Sequence, residues 1–401
     1  MKVLQINATY GYGSTGLIIR DIGEMLQRSG NEVIYAYQSS DKPLENGYQV
    51  GHMLDWKRHA FLCRLFGRQG YYSVRATKKL LSYLDQIKPD VVHLHNLHSN
   101  FVHLNMLLGY FAKRNIPTVI TMHDCWYFTG KCFHYVDVDC DRFQSGCGNC
   151  PKRKAPPSSW FLDCSSQVLK DRYTYLSQIP RLKIVGCSRW VCGEARKGIM
   201  KDFDICQIYN GVDTRVFHPY EKDLLKKEKH LDGAFVIMGM ANKWFQPENR
   251  KAMERMMSIL DGKTKLLLVG CSDTQRKELQ GYENIITMGF VRDRVHLAHL
   301  YSMADVFVNV THADTLPTVN MESICCGTPV VTYDSCGSPE LVGTGCGFVV
   351  PKGNLEALLE AVNKTRNLNR SECAHYGQSY YDKNICYEKY LDIYQNAIKM
   401  E

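Results

Sequence analysis

Residues 306–322 read Val306-Phe307-Val308-Asn309-Val310-Thr311-His312-Ala313-Asp314-Thr315-Leu316-Pro317-Thr318-Val319-Asn320-Met321-Glu322. The apolar start predicts a buried strand, and the polar residues after it predict a loop that opens a helix. Asp314 then lies in the loop, and Glu322 lies about two turns into the helix. A helix N-terminus can hold a diphosphate through free amides, while flanking carboxylates accept hydrogen bonds from sugar hydroxyls. The alternative is a buried polar helix with Asp314 as its N-cap.

The same alternation of a short apolar run and a helical segment recurs along the whole chain, as in parallel sheets built from βαβ units. In the first half the predicted strands are Val3 to Ile6, Val33 to Ala36, Val91 to Leu94, Val119 to Thr121 and Ile184 to Val185. In the second half they are Phe235 to Met238, Leu266 to Val269, Ile285 to Ile286, Val306 to Val308, Val330 to Thr332 and Phe348 to Val350. We therefore expect an α/β protein with two Rossmann-like, doubly wound parallel-sheet domains, and a ligand in the crevice at the carboxyl ends of the strands.

The domain boundary is expected at the turn Asn210-Gly211-Val212-Asp213. A charged segment over residues 221–229 follows it and offers little to bury, so the linker is placed between about residues 205 and 232. This gives an N-terminal domain over 1–205, a C-terminal domain over 206–383, and a last helix over 384–401 that packs back on the first domain. In the second domain, a methionine stripe around Met253 and Met256 is expected to be core.

Composition limits the function. The 401 residues are 45% hydrophobic and 22% charged, as in a folded globular protein, and 49 Lys plus Arg against 41 Asp plus Glu give a net charge of +8. That charge suits anionic ligands or an anionic membrane surface but is too small for a dedicated nucleic-acid binder. The start, Met1 to Asn7, lacks a secretory signal, and no apolar run approaches the roughly 20 residues that span a bilayer. We expect a cytoplasmic protein, peripheral at most on a membrane.

A glycine-rich turn follows the first strand. Gly11-Tyr12-Gly13-Ser14-Thr15-Gly16 leads into a helix predicted over 17–26, so that backbone amides can approach an anion. Its glycines have the GxGxxG spacing, yet Ala36-Tyr37-Gln38 stands where a dinucleotide fold carries a ribose-binding acid. The alternative is a tight strand-to-helix connection.

Together these motifs resemble the retaining glycosyltransferases of family 4, which have the GT-B fold. The stretch from Asp314 to Glu322 resembles the EX7E donor-binding motif, with Asp in place of the first Glu. The resemblance extends over most of the chain through Asp90-Val91-Val92-His93-Leu94-His95-Asn96, Thr121-Met122-His123-Asp124, Cys187-Ser188-Arg189-Trp190, Asn210-Gly211-Val212-Asp213, Gly327-Thr328-Pro329-Val330-Val331 and Gly337-Ser338-Pro339-Glu340.

The resemblance implies a role for each candidate site residue. Glu322 would bind the nucleotide ribose, Asp314 the donor-sugar hydroxyls, and a cation after the first strand of the second domain the diphosphate. For that cation we predict Lys251, with Arg250 and Lys243 as alternatives. His123 would touch the donor sugar near its reacting carbon, with Asp124 able to orient it. The further donor-binding residues are Gly13, Ser14, Thr15, Gly16, Leu316, Pro317 and Thr318, and the acceptor-binding residues are His95, Asn96, His98 and Asp124.

The implied activity is transfer of a sugar, with retention, from a UDP- or GDP-sugar to a glycan or lipid-linked glycan in capsule, exopolysaccharide or lipopolysaccharide assembly. The implied step is a front-side displacement without a catalytic metal ion, in which the departing diphosphate helps take the acceptor proton. His123, Asp314 and Lys251 are the predicted catalytic residues. The alternatives are a GT-B nucleotide-sugar epimerase or phosphorylase, and a cysteine-cluster binding module on an inactive transferase scaffold.

Four cysteines stand close together within an insertion over residues 130–157. Cys132, Cys140, Cys147 and Cys150 have the spacing CX7CX6CX2C, which suits a tetrahedral structural zinc ion. The alternatives are reduced, buried cysteines or one disulfide.

Basic and apolar residues interleave before the third strand. The basic ones are Lys57, Arg58, Arg64, Arg68, Arg75, Lys78 and Lys79, and the apolar ones are Trp56, Phe61, Leu62, Leu65 and Phe66. The pattern predicts either a surface that rests on anionic lipid or a solvated helix rim.

Overall fold

The structure is a computed structural model that describes residues 1–400. It consists of two compact units. Unit 1 comprises Met1–Tyr209 together with the chain from Tyr387 onward, and unit 2 is Asn210–Cys386. The division therefore falls at residue 209, against the expected 205, and the segment that returns to unit 1 starts at 387, inside the predicted last helix.

Unit 1 is built on a seven-stranded parallel sheet with the order β3-β2-β1-β4-β5-β6-β7. Its strands are β1 (Lys2–Tyr10), β2 (Glu32–Ser40), β3 (Gly47–Gln49), β4 (Val91–Leu94), β5 (Thr118–Met122), β6 (Leu182–Gly186) and β7 (Ile205–Gln207). Its helices are α1 (Gly13–Arg28), α2 (Met53–Phe66), α3 (Val74–Ile87), α4 (Leu104–Lys113), α5 (Ser165–Ser177) and α6 (Arg189–Arg196). The central strands β4 and β5 are buried along their whole length, which explains why apolar residues predominate in them.

Unit 2 repeats this plan with a six-stranded parallel sheet of order β10-β9-β8-β11-β12-β13. Its strands are β8 (Phe235–Met240), β9 (Thr264–Val269), β10 (Ile285–Met288), β11 (Val306–Asn309), β12 (Val330–Tyr333) and β13 (Gly347–Val350). Its helices are α7 (Lys222–Glu228), α8 (Ala241–Trp244), α9 (Arg250–Met257), α10 (Asp273–Glu278), α11 (Arg294–Met303), α12 (Thr318–Cys325), α13 (Leu355–Lys364) and α14 (Arg370–Tyr381). Helix α15 (Lys383–Lys399) begins in unit 2 and ends in unit 1.

Each sheet has one position where the chain reverses its direction of winding. In unit 1 this switch point lies between β1 and β4, and in unit 2 it lies between β8 and β11. Loops that leave the carboxyl ends of such a strand pair diverge and open a crevice where ligands bind. The fold therefore directs attention to the loops after β1 and β4 in unit 1, and to those after β8 and β11 in unit 2.

The two sheets confirm the predicted fold class, and all eleven predicted strands are present. Met253 and Met256 of the predicted stripe lie in the core of unit 2. The short strands β3 and β7 were not predicted. The segment 221–229 also differs, because it forms α7 and buries the stem of Lys226, whose ammonium pairs with Asp305 at 2.6 Å.

Two further observations concern helices. Helix α1 begins at Gly13, four residues before the predicted start, so residues 13–16 form its first turn. Among residues 1–400, no helix combines the length and apolar character that crossing a bilayer requires.

Candidate active site

The loops at the switch point of unit 2 are tied together by Asn249. Its side-chain amide donates to the carbonyl oxygens of Lys243, after β8, and Val310, after β11, at 2.9 and 2.8 Å. Its carbonyl oxygen lies 3.0 Å from Nε2 of His312 in the same β11 loop. One buried side chain thus fixes the distance between the two loops.

Asp314 and Lys243 form an ion pair across this crevice. Their Oδ2 and Nζ atoms are 3.5 Å apart, and each side chain is about 30% exposed, within reach of a solute. The second carboxylate oxygen accepts the backbone N–H of Leu316 at 3.2 Å, which holds Asp314 in place. The structure thus brings Lys243 to Asp314. Arg250 instead pairs with Glu254 on the outer face of α9, and within residues 1–400 no hydrogen bond or ion pair joins the exposed Lys251 to Asp314.

Helix α12 opens with unused hydrogen-bonding capacity. Its N-cap is Pro317, which has no side-chain hydrogen-bond acceptor. No capping side chain therefore bonds to the free backbone N–H groups at the positive end of the helix dipole. Around it, three buried polar atoms have no partner: Oγ1 of Thr315, Nδ2 of Asn320 and Oγ of Ser338. The Ser338 loop is joined to the β11 loop by the N–H of Gly337, which donates to the carbonyl of Asp314 at 3.2 Å. Buried polar atoms without partners cost stability, and they cluster where a ligand supplies the missing bonds.

Glu322 lies on α12 and has a perturbed carboxyl group. Burial raises its pKa to about 7, although nearby Arg294 and the hydroxyl of Tyr301 act in the opposite direction. Tyr301 donates to its Oε2 at 3.2 Å. A carboxylate with so few partners in a polar crevice retains capacity to accept hydrogen bonds from a ligand.

In unit 1, the glycine-rich turn forms the N-terminus of α1. The N-cap is Tyr12, again without a side-chain cap. Gly11 and Gly13 have φ of 79° and 66°, and a Cβ at Gly11 would lie 2.1 Å from a carboxylate oxygen of Asp41. Open space surrounds the Cβ position of Gly13. The N–H of Gly11 bonds to the carbonyl of Gly16 at 3.1 Å, whereas the uncapped N-terminus of α1, at the exposed Gly13 and Ser14, can be approached by an anion.

Two side chains in unit 1, Gln5 and His95, fix which nitrogen of His123 carries the proton. The amide nitrogen of Gln5 donates to the carbonyl of Ile19, so its oxygen faces His95 and accepts from Nε2–H at 3.1 Å. Nδ1 of His95 must then accept the Nε2–H of His123, also at 3.1 Å. Burial lowers the pKa of His123 to about 4, so its ring is neutral and Nδ1 carries a lone pair. That Nδ1 is buried and has no partner, so it can accept a hydrogen bond from a hydroxyl group of a ligand.

Asp124 does not orient His123. Its Oδ2 lies 3.0 Å from Nε2 of His98, and its Oδ1 accepts the backbone N–H of Trp126 at 2.8 Å. Burial opposes ionisation of Asp124, but these partners hold its pKa below the usual value. The predicted acceptor-binding residues thus have three separate sets of partners, because His95 bonds to Gln5 and His123, His98 pairs with Asp124, and Asn96 is held through its N–H by Asn7.

Several residues of these networks carried no motif in the sequence. Asn249, Tyr301 and Arg294 complete the unit 2 crevice, and Gln5 sets the tautomers of the histidines. A polar residue in the middle of an apolar strand, as Gln5 is in β1, is the one signal that could have drawn attention to it. Leu316 and Pro317 are buried parts of the β11 loop, and Thr318 begins α12.

The four predicted zinc ligands line one small cavity. The thiols of Cys132 and Cys150 hydrogen-bond to each other, and Cys147 accepts the N–H of Gly130 at 3.3 Å. Among residues 1–400, however, no three Cys, His, Asp or Glu side chains are arranged to hold one metal ion. Zinc binding stays a prediction.

Comparison with known proteins agrees with this architecture. The structure of sucrose-phosphate synthase from Thermosynechococcus elongatus superposes with a TM-score of 0.72, at 16% identity and 98% coverage of both chains. Anabaena Alr3699/HepE in complex with UDP and glucose superposes with a TM-score of 0.64, at 14% identity and the same coverage. Two Rossmann-like parallel-sheet units of this kind, superposing on these proteins over nearly the whole chain, define the GT-B fold.

Sequence comparison gives the family. The model of "Glycosyltransferase Family 4" matches residues 16–216, and that of "Glycosyl transferases group 1" matches residues 227–367. The chain belongs to glycosyltransferase family 4. It is also similar to the putative colanic acid biosynthesis glycosyl transferase WcaC of Escherichia coli, at 20% identity over 99% of this chain and 100% of that protein.

Proposed function

We propose that this glycosyltransferase transfers a sugar, with retention of its anomeric configuration, from a nucleoside diphosphate sugar to a glycan carried on a lipid. Cell-surface polysaccharide assembly is the proposed setting, supported by the similarity to WcaC over its full length. UDP is the nucleotide we favour, because the similar HepE was crystallised with UDP and glucose. GDP is the alternative.

The observation that carries the proposal is the cluster of unpartnered atoms at the start of α12. Thr315, Asn320 and Ser338 each bury a polar atom without a bond. The uncapped helix end lies at the same place and attracts negative charge. A diphosphate supplies acceptor oxygens for these donors, and Lys243 supplies a cation for the charge that develops as the diphosphate departs.

The flanking carboxylates would orient the rest of the donor. Glu322 would accept hydrogen bonds from the ribose, and Asp314, paired with Lys243, would accept them from the sugar. These roles follow the family resemblance. In the same way His123 is assigned to a donor-sugar hydroxyl, through the lone pair on its Nδ1. This proposal uses Lys243 as the phosphate-binding cation, and the sequence-based choice of Lys251 for the same role stays an untested prediction.

The chemical step would rest on stabilisation of the leaving group. As the bond from the anomeric carbon to the diphosphate oxygen breaks, the acceptor oxygen forms its bond on the same face, and its proton passes to the departing diphosphate. A fixed hydrogen bond or cation at the developing charge is worth ~2–4 kcal/mol in a dry site. Lys243 and the polar groups at the start of α12 would provide this stabilisation.

Thermal unfolding in the presence of UDP, GDP and ADP tests the donor site. A nucleotide at about 100 times its dissociation constant should add ~2.7 kcal/mol of stability. Glu322→Ala should remove that gain, while the exposed Glu278→Ala in the same unit serves as the control. If no nucleotide or nucleotide sugar raises the melting temperature of the wild type, the donor assignment is wrong.

Product analysis tests the reaction. With a UDP-sugar and a lipid-linked acceptor, we expect nucleotide release that requires the acceptor, and NMR couplings that show the same anomeric configuration in product and donor. An inverted product contradicts retention. Consumption of the nucleotide sugar without an acceptor, or only with inorganic phosphate, would favour an epimerase or a phosphorylase.

A further inference from the structure

An exposed apolar cluster lies on unit 1, where α2 meets the loop over residues 158–162. We call it the aromatic surface and define it as Phe61 of α2 with Trp160, Phe161 and Leu162 of the loop. Phe161 is 70% exposed, and Phe61, Trp160 and Leu162 are each about half exposed. Large apolar side chains that group together on a surface mark an interaction site more often than isolated ones do.

The aromatic surface is held in shape by backbone hydrogen bonds. Trp160 donates its backbone N–H to the carbonyl of Arg64 on α2 at 2.6 Å. Ser159 donates its backbone N–H to the carbonyl of Arg153 at 2.8 Å. The rings of Phe61 and Trp160 meet edge to face with centroids 6.3 Å apart. Gly67, at the end of α2, lies so close to Leu162 that a Cβ would meet the Leu162 carbonyl oxygen at 2.5 Å. The folded chain thus presents these side chains to solvent without rearrangement.

Positive charge surrounds the aromatic surface. Lys57, Arg58, Arg64 and Arg68 are all exposed, and within residues 1–400 none of them forms an ion pair with Asp or Glu. Asp55, the one acid on α2, is used by the capping box of that helix. Asp163, next to the loop, accepts the backbone N–H groups of Cys150 and Ser165. The basic groups therefore keep their charge available for a partner.

We propose that the aromatic surface docks unit 1 onto an anionic phospholipid membrane. Tryptophan, phenylalanine and leucine enter the boundary between headgroups and acyl chains, while lysine and arginine beside them bind lipid phosphates. Such a surface is complementary in charge to anionic lipid and needs no matching pocket. Docking would bring the transferase to an acceptor that is embedded in the bilayer, but it does not depend on how the donor is bound.

Vesicle flotation of the full-length protein tests the proposal. We expect the wild type to float with vesicles of phosphatidylglycerol and phosphatidylcholine, to stay unbound with phosphatidylcholine alone, and to dissociate as salt rises. Trp160→Ser combined with Phe161→Ser should weaken binding more than tenfold. Each of Lys57→Glu and Arg58→Glu should weaken it at least fivefold, since one basic residue near such a membrane contributes about that factor.

Matched controls come from unit 2. Phe290→Ser removes an 81% exposed ring, and Lys277→Glu reverses an exposed charge, so both should leave flotation unchanged. Unchanged melting temperatures and unchanged UDP binding would show that the unit 1 variants are folded and that donor binding is a separate matter. The proposal is overturned if the wild type does not float, or if the unit 1 variants float as it does. It is also overturned if the aromatic surface instead mediates dimerisation in solution, seen as dimers that the double serine variant abolishes.

Discussion

Replacing Glu322 by glutamine should stabilise unit 2 at alkaline pH and leave its stability unchanged in acid. In the folded protein, burial raises the pKa of this carboxyl group from 4.5 to about 7. A glutamine has nearly the same shape and can still accept the Tyr301 hydroxyl. The substitution therefore removes the cost of a buried charge and little else.

The pKa shift sets the size and sign of the effect. Below about pH 4.5 the carboxyl is protonated in the folded and in the unfolded protein, so wild type and Glu322→Gln should be equally stable. Between about pH 4.5 and pH 7 the unfolded chain has released its proton and the folded chain has not, so wild-type stability falls as pH rises. Above pH 7 the difference is constant, and about 2.5 pKa units at 1.36 kcal/mol each give ~3.4 kcal/mol. Because the side chain is partly accessible to water, this is an upper limit.

The assay must report on unit 2 alone. Trp244 is buried and is the single tryptophan of residues 210–386, so fluorine NMR of fluorotryptophan-labelled protein can follow its unfolding in urea. The exposed Glu278→Gln should show no dependence on pH relative to wild type. The reasoning is refuted if Glu322→Gln changes the free energy of unfolding by the same amount at pH 5 and pH 8. The stabilised variant should also bind UDP less tightly, since an amide replaces the carboxylate that we propose as the acceptor for the ribose hydroxyls.

Three other predictions follow from unit 1. His123→Ala should lower the rate of sugar transfer about 10- to 100-fold, the value of one hydrogen bond, and leave the affinity for UDP unchanged; an equal loss of UDP affinity would contradict its assigned role. Arg172→Met should destabilise unit 1 by about 3 kcal/mol in urea unfolding, because the buried guanidinium donates to the carbonyls of Trp126 and Thr129 and stacks on the Trp126 ring. A loss of stability below about 1 kcal/mol would show that water replaces the guanidinium as the donor to these carbonyls. Elemental analysis of protein purified without chelators should find one zinc per chain, reduced by Cys132→Ser but not by Cys164→Ser, and a metal-free protein would make the zinc prediction wrong.

The two sheets could be predicted from the sequence because central parallel strands are buried on both faces. Strands such as β8 and β9 therefore contain unbroken apolar runs, and the loops that follow them could be located within a few residues. The exceptions have a physical reason. β3 and β7 are three-residue edge strands with little buried surface, so no apolar run marks them.

The partners within the site could not be predicted in the same way. Whether Lys243 or Lys251 lies next to Asp314 depends on how the short helix α8 and its neighbour α9 turn after β8, and sequence spacing does not determine that turn. Similarly, Asn249 joins loops more than 60 residues apart in the chain. The pKa of Glu322 is raised by burial and partly lowered again by Arg294 and Tyr301, which come from a different helix, α11. The motifs indicated the loops at the switch points, and tertiary packing determined which side chains contact each other there.

The shared helix α15 has a consequence for how this chain folds during synthesis. Its tyrosines complete unit 1, since Tyr394 bonds to His93 at 2.7 Å and Tyr390 bonds to Thr121 at 2.8 Å. A ribosome adding about 5–20 residues per second needs about 10–40 s to pass from residue 209 to the end of the chain. Throughout that interval the nascent first unit lacks its final helix, whereas the uninterrupted second unit can fold as soon as it emerges. The unit that starts first is thus finished last, and a premature stop anywhere after residue 209 leaves it exposed to chaperones and proteases.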